Sequence, residues 1–419
     1  MKSIIVVGSG GREHAIVRAL RKSSDIERIY AFPGSDGIFK EAEKLDFSFS
    51  DISSASNISK FVDKVCELKV GLVVVGPEQP LMDGLSDALR EKGVDVFGPC
   101  SEGAKLEGDK VFAKEFMKEF NIPSGGYLPI KNSEDLEEAM NNKDYSDPYV
   151  FKYRYLAGGK GVLVSKSKDE IRDFSKKFLD DKTVQSYLEE PLRGWELSCI
   201  CLVNESGYDI CPILQDHKRL NNGDLGPNTG GMGVAGPLHI DAELKGQIIN
   251  SIVKPSVEGL KKRNFLFRGV LYIGVMVTKE GPQVLEYNVR FGDPEAQLIF
   301  PLVESDWLSV LNKVSKGLEF SLKQKEEFGC SVVLASEGYP DSPIKGAKIE
   351  GLSDLSDEKY LHAGTKKSDD SFITNGGRVL NILGFGEDQG AAIQDAYKNV
   401  KKINFKGMQH RTDIGSKIL

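Results

Sequence analysis

Residues 3–16 read SIIVVGSGGREHAI: a short apolar run, a cluster of glycines, then a helix-like stretch. A strand that ends in glycine and opens directly into a helix is the start of a parallel α/β fold, where helix N-terminal amides can face a phosphate. The dinucleotide pattern G-x-G-x-x-G would need glycine at position 13, and Glu13 stands there instead. Such a site also expects an acid at the end of the second strand to bind ribose, and the chain there reads Ala31-Phe32-Pro33-Gly34. An NAD-dependent oxidoreductase is therefore the weakest reading of this loop.

Working outward, the rhythm continues. Ile4–Val7, Arg28–Phe32, Gly71–Val75 and Val94–Phe97 are expected strands, with helices such as Gly11–Arg21 and Leu81–Glu91 between them. Gly8, Gly34, Gly76 and Gly98 each follow a strand, which gathers the loops at the strands' carboxyl ends. A helix over Ala104–Phe120 follows, with Phe112, Phe116 and Phe120 as a ridge to be buried. From about residue 149 the pattern turns antiparallel, and Lys-Glu-Gly-Pro joins Gly269–Thr278 to Gln283–Phe291 as a hairpin. Beyond a charged segment near 316–328 come strands Ser331–Ala335 and Val379–Gly384 and a helix near 390–401.

The totals exclude several classes. The formal net charge of −7 argues against non-specific nucleic-acid binding. The apolar run Ile4–Val7 is too short for a signal peptide, and nothing reaches membrane-spanning length. Six cysteines without a CxxC pair and five histidines without HxxxH spacing give no transition-metal pattern. Composition thus reads as a reduced, cytoplasmic protein that engages no membrane.

Chemistry concentrates in GPQVLEYNVRFGDPEAQ, residues 281–297. Strand alternation would send Leu285, Tyr287, Val289 and Phe291 one way and Glu286, Asn288 and Arg290 the other. A carboxylate and an amide oxygen two residues apart suit Mg²⁺, and Arg290 adds a planar fork for phosphoryl oxygens. A solvated face would look the same by composition. FKYRYLAGGKGVLV, residues 151–164, reads as two strands around a glycine-rich flap that could cover a polyphosphate, although it lacks the P-loop spacing. Lys110, Lys114 and Lys118 make a stripe whose plain reading is a solvated helix face. QDHKRLNNGDLGPNTGGMG, residues 215–233, is a long Gly/Asn-rich loop with charges at Asp216, Lys218 and Arg219, which leans toward function.

Taken in order, these pieces resemble the phosphoribosylamine–glycine ligase family of the ATP-grasp class. The markers are GSGGREHA at 8–15, GPEQPLMDGL at 76–85, FGP at 97–99, LEGDKVFAK at 106–114, LAGGKG at 156–161 and QDHKR at 215–219. GPNTGGMG at 226–233, RGVLYIGVM at 268–276, LEYNVRFGDPE at 285–295, HAGT at 362–365, TNGGRVL at 374–380 and RTDIG at 411–415 complete the set. The resemblance implies a mixed α/β and α+β multidomain chain. An N-terminal Rossmann-like, parallel α/β (pre-ATP-grasp) domain would span 1–100. An ATP-grasp domain would span 101–320, with a lid over about 121–190, and a small α/β C-terminal domain 321–419. The C-terminal part is expected to pack over the substrate end of the first domain, with no further domain fused after Leu419.

The implied reaction joins glycine to 5-phosphoribosylamine at the expense of ATP, through glycyl phosphate, with Mg²⁺ or Mn²⁺. The partners would be these small molecules alone, and the chain a monomer. The resemblance places Glu286 and Asn288 on the metal and Arg290, Asp293 and Lys218 at the chemistry. Lys110, Lys152, Gly158, Gly159, Lys160, Gly161, Gln185, Leu188 and Glu196 would bind ATP. Gly10, Gly11, Arg12, Pro77, Glu78, Asp216, Thr229, Gly230 and Gly231 would bind substrate, which turns the opening loop toward a sugar phosphate. Gly8 could equally serve close strand–helix packing.

The chain departs from the family at two places. Tyr153-Arg154-Tyr155 stands where Ala-Asp-Gly is usual, which questions the flap's geometry, and Gln185-Ser186-Tyr187-Leu188 replaces Glu-Glu-Phe-Leu at the adenine hinge. Glu189–Arg193 is an insert before Gly194-Trp195-Glu196, and Ala296 replaces a usual Thr. Two alternatives therefore stand beside the ligase: another ATP-grasp carboxylate–amine ligase or carboxylase, and a non-catalytic nucleotide-binding relative.

Overall fold

The computed structural model describes residues 3–158, 160–179 and 183–418. Its first unit is a five-stranded parallel sheet of β1 (Ser3–Gly8), β2 (Arg28–Pro33), β3 (Glu43–Lys44), β4 (Leu72–Val75) and β5 (Val96–Phe97), in the order β3-β2-β1-β4-β5. The two-sided burial of such a sheet explains why Ile4–Val7 and Leu72–Val75 are unbroken apolar runs. The expected helix Leu81–Glu91 is two, Glu78–Met82 and Leu85–Glu91, broken where Gly84 takes φ +85°. Likewise Ala104–Phe120 divides into Ser101–Gly108 and Lys110–Glu119. Asp109 leaves helical geometry at the junction, and its carboxylate accepts the Val111 and Phe112 amides as the second helix's cap.

Two antiparallel sheets form the middle of the molecule. The smaller, Tyr127–Ile130, Ser186–Glu189, Tyr149–Tyr153 and Val162–Ser165 in that order, packs a separate core against helices Ser133–Asn141 and Lys168–Ser175. The larger pairs Gly207–Ile210, Gly194–Asn204, Gly269–Thr278 and Gly281–Asn288. Cys199 and Cys201 point into its core and are fully buried.

The register of Gly281–Asn288 corrects one expectation. Pairing shifts between Gly274 and Val275, so Leu285 is bulged out and Val284 joins Tyr287 and Val289 in the core instead. Glu286 and Asn288 keep the face expected of them because the bulge lies before them.

The C-terminal sheet borrows from the middle of the chain. Its order is Gln215–Asp216, Gly233–Gly236, Phe328–Ala335, Arg378–Gly386 and Tyr360–His362, so the Gly233 end of the 215–233 loop pairs with a C-terminal strand and the Gln215 end joins the sheet through Gly233–Gly236. This unit packs over the first one. His362 donates its amide to His14 Nδ1 at 2.9 Å, Lys367 its amide to Asp36 at 2.7 Å, and Arg18 reaches the Tyr360 carbonyl at 2.6 Å. Among the described residues no helix is long and apolar enough to cross a membrane.

Candidate active site

The four units meet around the strand Gly281–Asn288 and the turn after it. Lys218 Nζ lies 3.2 Å from Glu286 Oε1 and 3.3 Å from Glu196 Oε2. This ammonium holds the Glu286 carboxyl down to about 2, with Lys152 and Lys110 adding to the pull. Glu286 is therefore ionised throughout the physiological range. Burial works against the Lys218 charge, but Glu286 and Glu196 outweigh it and hold its pKa well above the ordinary lysine value.

Two residues further on, Asn288 Oδ1 accepts from Arg290 Nη2 at 3.1 Å. The same guanidinium is 2.7 Å from Glu107 and 3.3 Å from Glu78, and donates to the Phe291 carbonyl at 3.2 Å. Glu78 is thus brought from the first unit to the catalytic strand, where Arg290 and Arg12 overcome burial and keep its pKa low. Pro77 stands just before it, opening the short helix Glu78–Met82.

On the nucleotide side, Lys110 Nζ donates to the Tyr155 carbonyl at 3.1 Å, and Lys152 Nζ lies 3.4 Å from the carbonyl of the bulged Leu285. Burial lowers the Lys110 pKa, with Glu286 opposing. Lys114, expected on a solvated face, is instead 4% exposed. Both Lys114 and Lys152 form ion pairs with Glu189, itself 3% exposed. Sequence reasoning passed over Glu189 by placing it in an insert; it is the last residue of the strand Ser186–Glu189, and a lone carboxylate gives no local sign of the lysines that will surround it.

The side chains at 153–155 are taken up by neighbours or by solvent. Alternation turns Tyr153 away from Lys152 and onto Phe178, ring centroids 4.6 Å apart. Arg154 makes a two-pronged pair with the helix-capping Asp109, at 2.8 and 2.6 Å. Tyr155 is exposed. In the flap, Gly158 takes φ +56° and Lys160 is exposed, while Gly161 packs against Tyr153 and Ala157. Gly159 lies outside the described residues. Gln185 is half-buried and donates to Thr183 Oγ1 at 2.7 Å. Leu188 is fully buried in the small sheet's core, which leaves only its backbone to meet a nucleotide.

At the other end of the cleft, the opening loop is filled by the residue that breaks the dinucleotide pattern. Glu13 is 2% exposed, accepts the Gly10 amide at 2.7 Å and pairs with Arg12 Nε at 2.6 Å. Its carboxylate leaves no room for a Cβ on Gly8 or Gly76, the nearest atoms being 2.4 and 2.1 Å away. The close-packing reading of Gly8 is therefore correct. Gly11 faces the Asn381 and Gln297 side chains and Arg12 donates to the Phe291 carbonyl at 3.2 Å, so the loop abuts the catalytic strand.

Asp293 accepts from Gln297 at 2.8 Å and lies 3.5 Å from Arg378, which also donates to the Asp293 carbonyl at 2.6 Å and the Gly230 carbonyl at 2.5 Å. Burial raises the Asp293 pKa, but Arg378 and Arg12 outweigh it and leave it low. Enclosure and the nearby Glu295 raise Asp216 well above the ordinary range. Thr229 ties its amide and hydroxyl to the Lys218 carbonyl, both at 2.8 Å. Gly231, at φ +109°, would drive a Cβ into Pro294 at 2.5 Å. Arg378 and Glu295, which accepts from Ser198 and Tyr272 at 2.9 Å each, were missed as site residues. The signal for Arg378 was present in TNGGRVL, but only folding brings that strand to the loop.

The Glu286 carboxylate and the Asn288 amide offer oxygens that would suit a divalent cation, and the lysines near them would suit phosphates. Among the described residues no group of three or more His, Cys, Asp or Glu gathers as a metal-binding set. Glu286 and Asn288 fit a hard cation that completes its shell from phosphates and water.

Comparison with known proteins agrees with this geometry along the whole chain. Family models described as phosphoribosylglycinamide synthetase match as an N domain at residues 2–107, an ATP-grasp (A) domain at 108–296 and a C domain at 329–417. A phosphoribosylamine–glycine ligase of Halalkalibacterium halodurans is 38% identical, over 100% of this chain and 97% of its own length. The trifunctional purine biosynthetic protein adenosine-3 of Gallus gallus is also 38% identical, across 98% of this chain but 42% of that protein. The crystal structure of a Thermotoga maritima phosphoribosylamine–glycine ligase superposes with a TM-score of 0.83 at 34% identity, covering 98% of this chain and all of that one. Matched in sequence from end to end and in three-dimensional course alike, the chain belongs to the phosphoribosylglycinamide synthetase family of ATP-grasp ligases.

Proposed function

We propose that the cleft joins glycine to 5-phosphoribosylamine in two steps, releasing ADP and phosphate and leaving glycinamide ribonucleotide. A carboxylate resists attack by an amine because it is anionic and lacks a leaving group. Transfer of the ATP γ-phosphoryl group to glycine gives glycyl phosphate, which has one; the amine of phosphoribosylamine then attacks the acyl carbon and phosphate departs. The observation that carries this reading is that Glu286 faces Lys218, with Lys152 and Lys110 close by, while Asn288, two residues on, accepts from Arg290.

Each residue has work in that scheme. Lys110 and Lys152 grip the ATP phosphates, with the 156–161 flap closing over them so that water does not hydrolyse the acyl phosphate. Gln185 and the Leu188 backbone meet adenine, and Glu196 faces the nucleotide across Lys218. Glu286 and Asn288 would hold Mg²⁺ or Mn²⁺, which would supply positive charge to the phosphates. Arg290 steadies the migrating phosphoryl group, and Lys218 balances the charge on Glu286. Asp293, Asp216, Glu78, Arg12 and the 229–231 turn line the acceptor end, where Glu13 already occupies the Gly10 amide. Removing one such preplaced charge typically costs ~10²–10³ in turnover.

The decisive measurement is ADP release from purified protein with ATP and Mg²⁺, adding glycine and freshly made phosphoribosylamine singly and together. ADP release that requires both supports the proposal. Release with another carboxylate–amine pair would move the chain to a different ATP-grasp ligase, and ATP binding without turnover to a non-catalytic relative.

A further inference from the structure

The RTDIG segment has no part in the chemistry above, yet it lies against the loop that carries Asp216 and Lys218. The Arg411 side chain is completely buried. Its Nε and Nη2 donate to the two oxygens of Asp413, both at 2.7 Å, and its Nη1 donates to Asp224 at 2.9 Å and to the Arg219 carbonyl at 3.2 Å. Lys417 pairs with the other oxygen of Asp224. Asn222 and Thr412 exchange two hydrogen bonds, at 2.6 and 2.9 Å, and the Gly223 amide reaches Asp413 at 2.8 Å. The grip falls on a turn whose backbone would not hold itself: Gly223 and Asp224 both have left-handed φ, +68° and +56°.

One residue separates this clamp from the cleft on the chain's other side. His217 is 1% exposed, and its ring joins the same two pieces. Nε2 accepts the Gly415 amide at 3.3 Å, and Nδ1 lies 3.3 Å from the Gly233 carbonyl. Only one tautomer satisfies both contacts, with the proton on Nδ1. His217 is flanked by Asp216 and Lys218, whose side chains alternate away from it toward the catalytic strand. The polar partners of Arg411 are Asp413, Asp224 and the Arg219 carbonyl, none of them a group that faces the phosphates.

We propose that the 411–417 segment is a brace for the catalytic loop, with Arg411 and Asp224 as positioning residues that set Lys218 against Glu286. A flexible lysine on an unbraced loop would populate many positions, and a small misplacement of a preplaced charge is expensive in the transition state. The brace acts on the charge beside the reacting phosphoryl group and leaves adenine and the flap alone. This inference rests on the reading of Lys218 as a cleft residue.

The test is steady-state turnover with ATP, Mg²⁺, glycine and phosphoribosylamine for Asp224→Asn, Arg411→Met, Lys218→Met and the double variant Asp224→Asn/Lys218→Met. The expected result is a kcat loss of about tenfold in Asp224→Asn with the KM for ATP within about twofold of wild type, and a double variant no slower than Lys218→Met alone. A purely structural role would instead lower melting temperature and active fraction without that split. Wild-type kcat in Asp224→Asn, or losses that simply multiply in the double variant, overturns the brace. Should Arg411→Met fail to fold, Asp224→Asn decides, since its side chain is 38% exposed. Wild-type turnover in Lys218→Met alone would bring down the reading of Lys218 instead, and the brace with it.

Discussion

The catalytic strand and the small sheet above it solve the same problem differently. Both hold several charges in a cleft where unpaired ions are costly. On the strand, each cation lies between two carboxylates: Lys218 between Glu286 and Glu196, Arg290 between Glu107 and Glu78. In the small sheet, one buried carboxylate, Glu189, serves both Lys114 and Lys152, with Lys110 close by. The strand side therefore keeps surplus negative charge and the small-sheet side surplus positive charge. On the proposed reading a divalent cation would suit the first and a polyphosphate the second. Preorganisation of the transition-state charges and affinity for ATP would then sit on separate elements.

The sharpest way to break this comparison is Glu286→Ala. A loss of ~10²–10³ in kcat, or more, is expected with the far-UV circular dichroism unchanged. Turnover near wild type at saturating ATP would remove the strand from the chemistry. Arg290→Lys should lose roughly 10–10² in kcat, because an ammonium cannot span Asn288, Glu107, Glu78 and the phosphoryl oxygens together. The same assay reports it, and a change confined to the KM for ATP would assign Arg290 to ground-state binding.

On the nucleotide side the expected pattern reverses. Glu189→Gln leaves Lys114 and Lys152 facing each other across a neutral amide, at a stability cost on the order of 3–5 kcal/mol. A raised KM for ATP with a smaller change in kcat is expected, together with a lower melting temperature. An effect on kcat alone would merge the two regions into one.

The last prediction leaves turnover at neutral pH untouched and asks where acid attacks first. Lys218 holds Glu286 down to about 2, below the unfolded carboxylate value of ~4.3, so its contribution to stability is full above ~4.3 and lost as pH falls from there to about 2. Burial, with Arg411 and Lys417 nearby, lowers His217 to about 4, so stability is full above the ordinary histidine value of ~6.5 and lost as pH falls from there to about 4. The sign follows because the unfolded chain binds the proton first. The amount is about 3 kcal/mol for this 1%-exposed ring. Thermal unfolding between pH 7.5 and 4.5 should show a slope of this sign, to which the buried His14 and His362 also contribute, and His217→Asn should reduce it; an unchanged slope would assign it to those other rings.

Much of this was legible in the sequence, for local reasons. Apolar runs ending in glycine specify β1, β2 and β4 and their helices wherever the chain goes next. Alternation in LEYNVRF specifies that Glu286, Asn288 and Arg290 share a face, and ordered motifs specify the family. Tertiary structure alone decided the rest, because it depends on which distant groups arrive. The bulge at Leu285 exists through pairing with Gly274 and Val275, and Lys114 is paired by Glu189, about 75 residues away in sequence. Glu13 fills the opening loop only because Gly8 and Gly76 lie side by side on adjacent strands. A pattern of residue types can offer charges to a cleft; their pKa, pairing and aim are set by neighbours, and neighbours are what folding chooses.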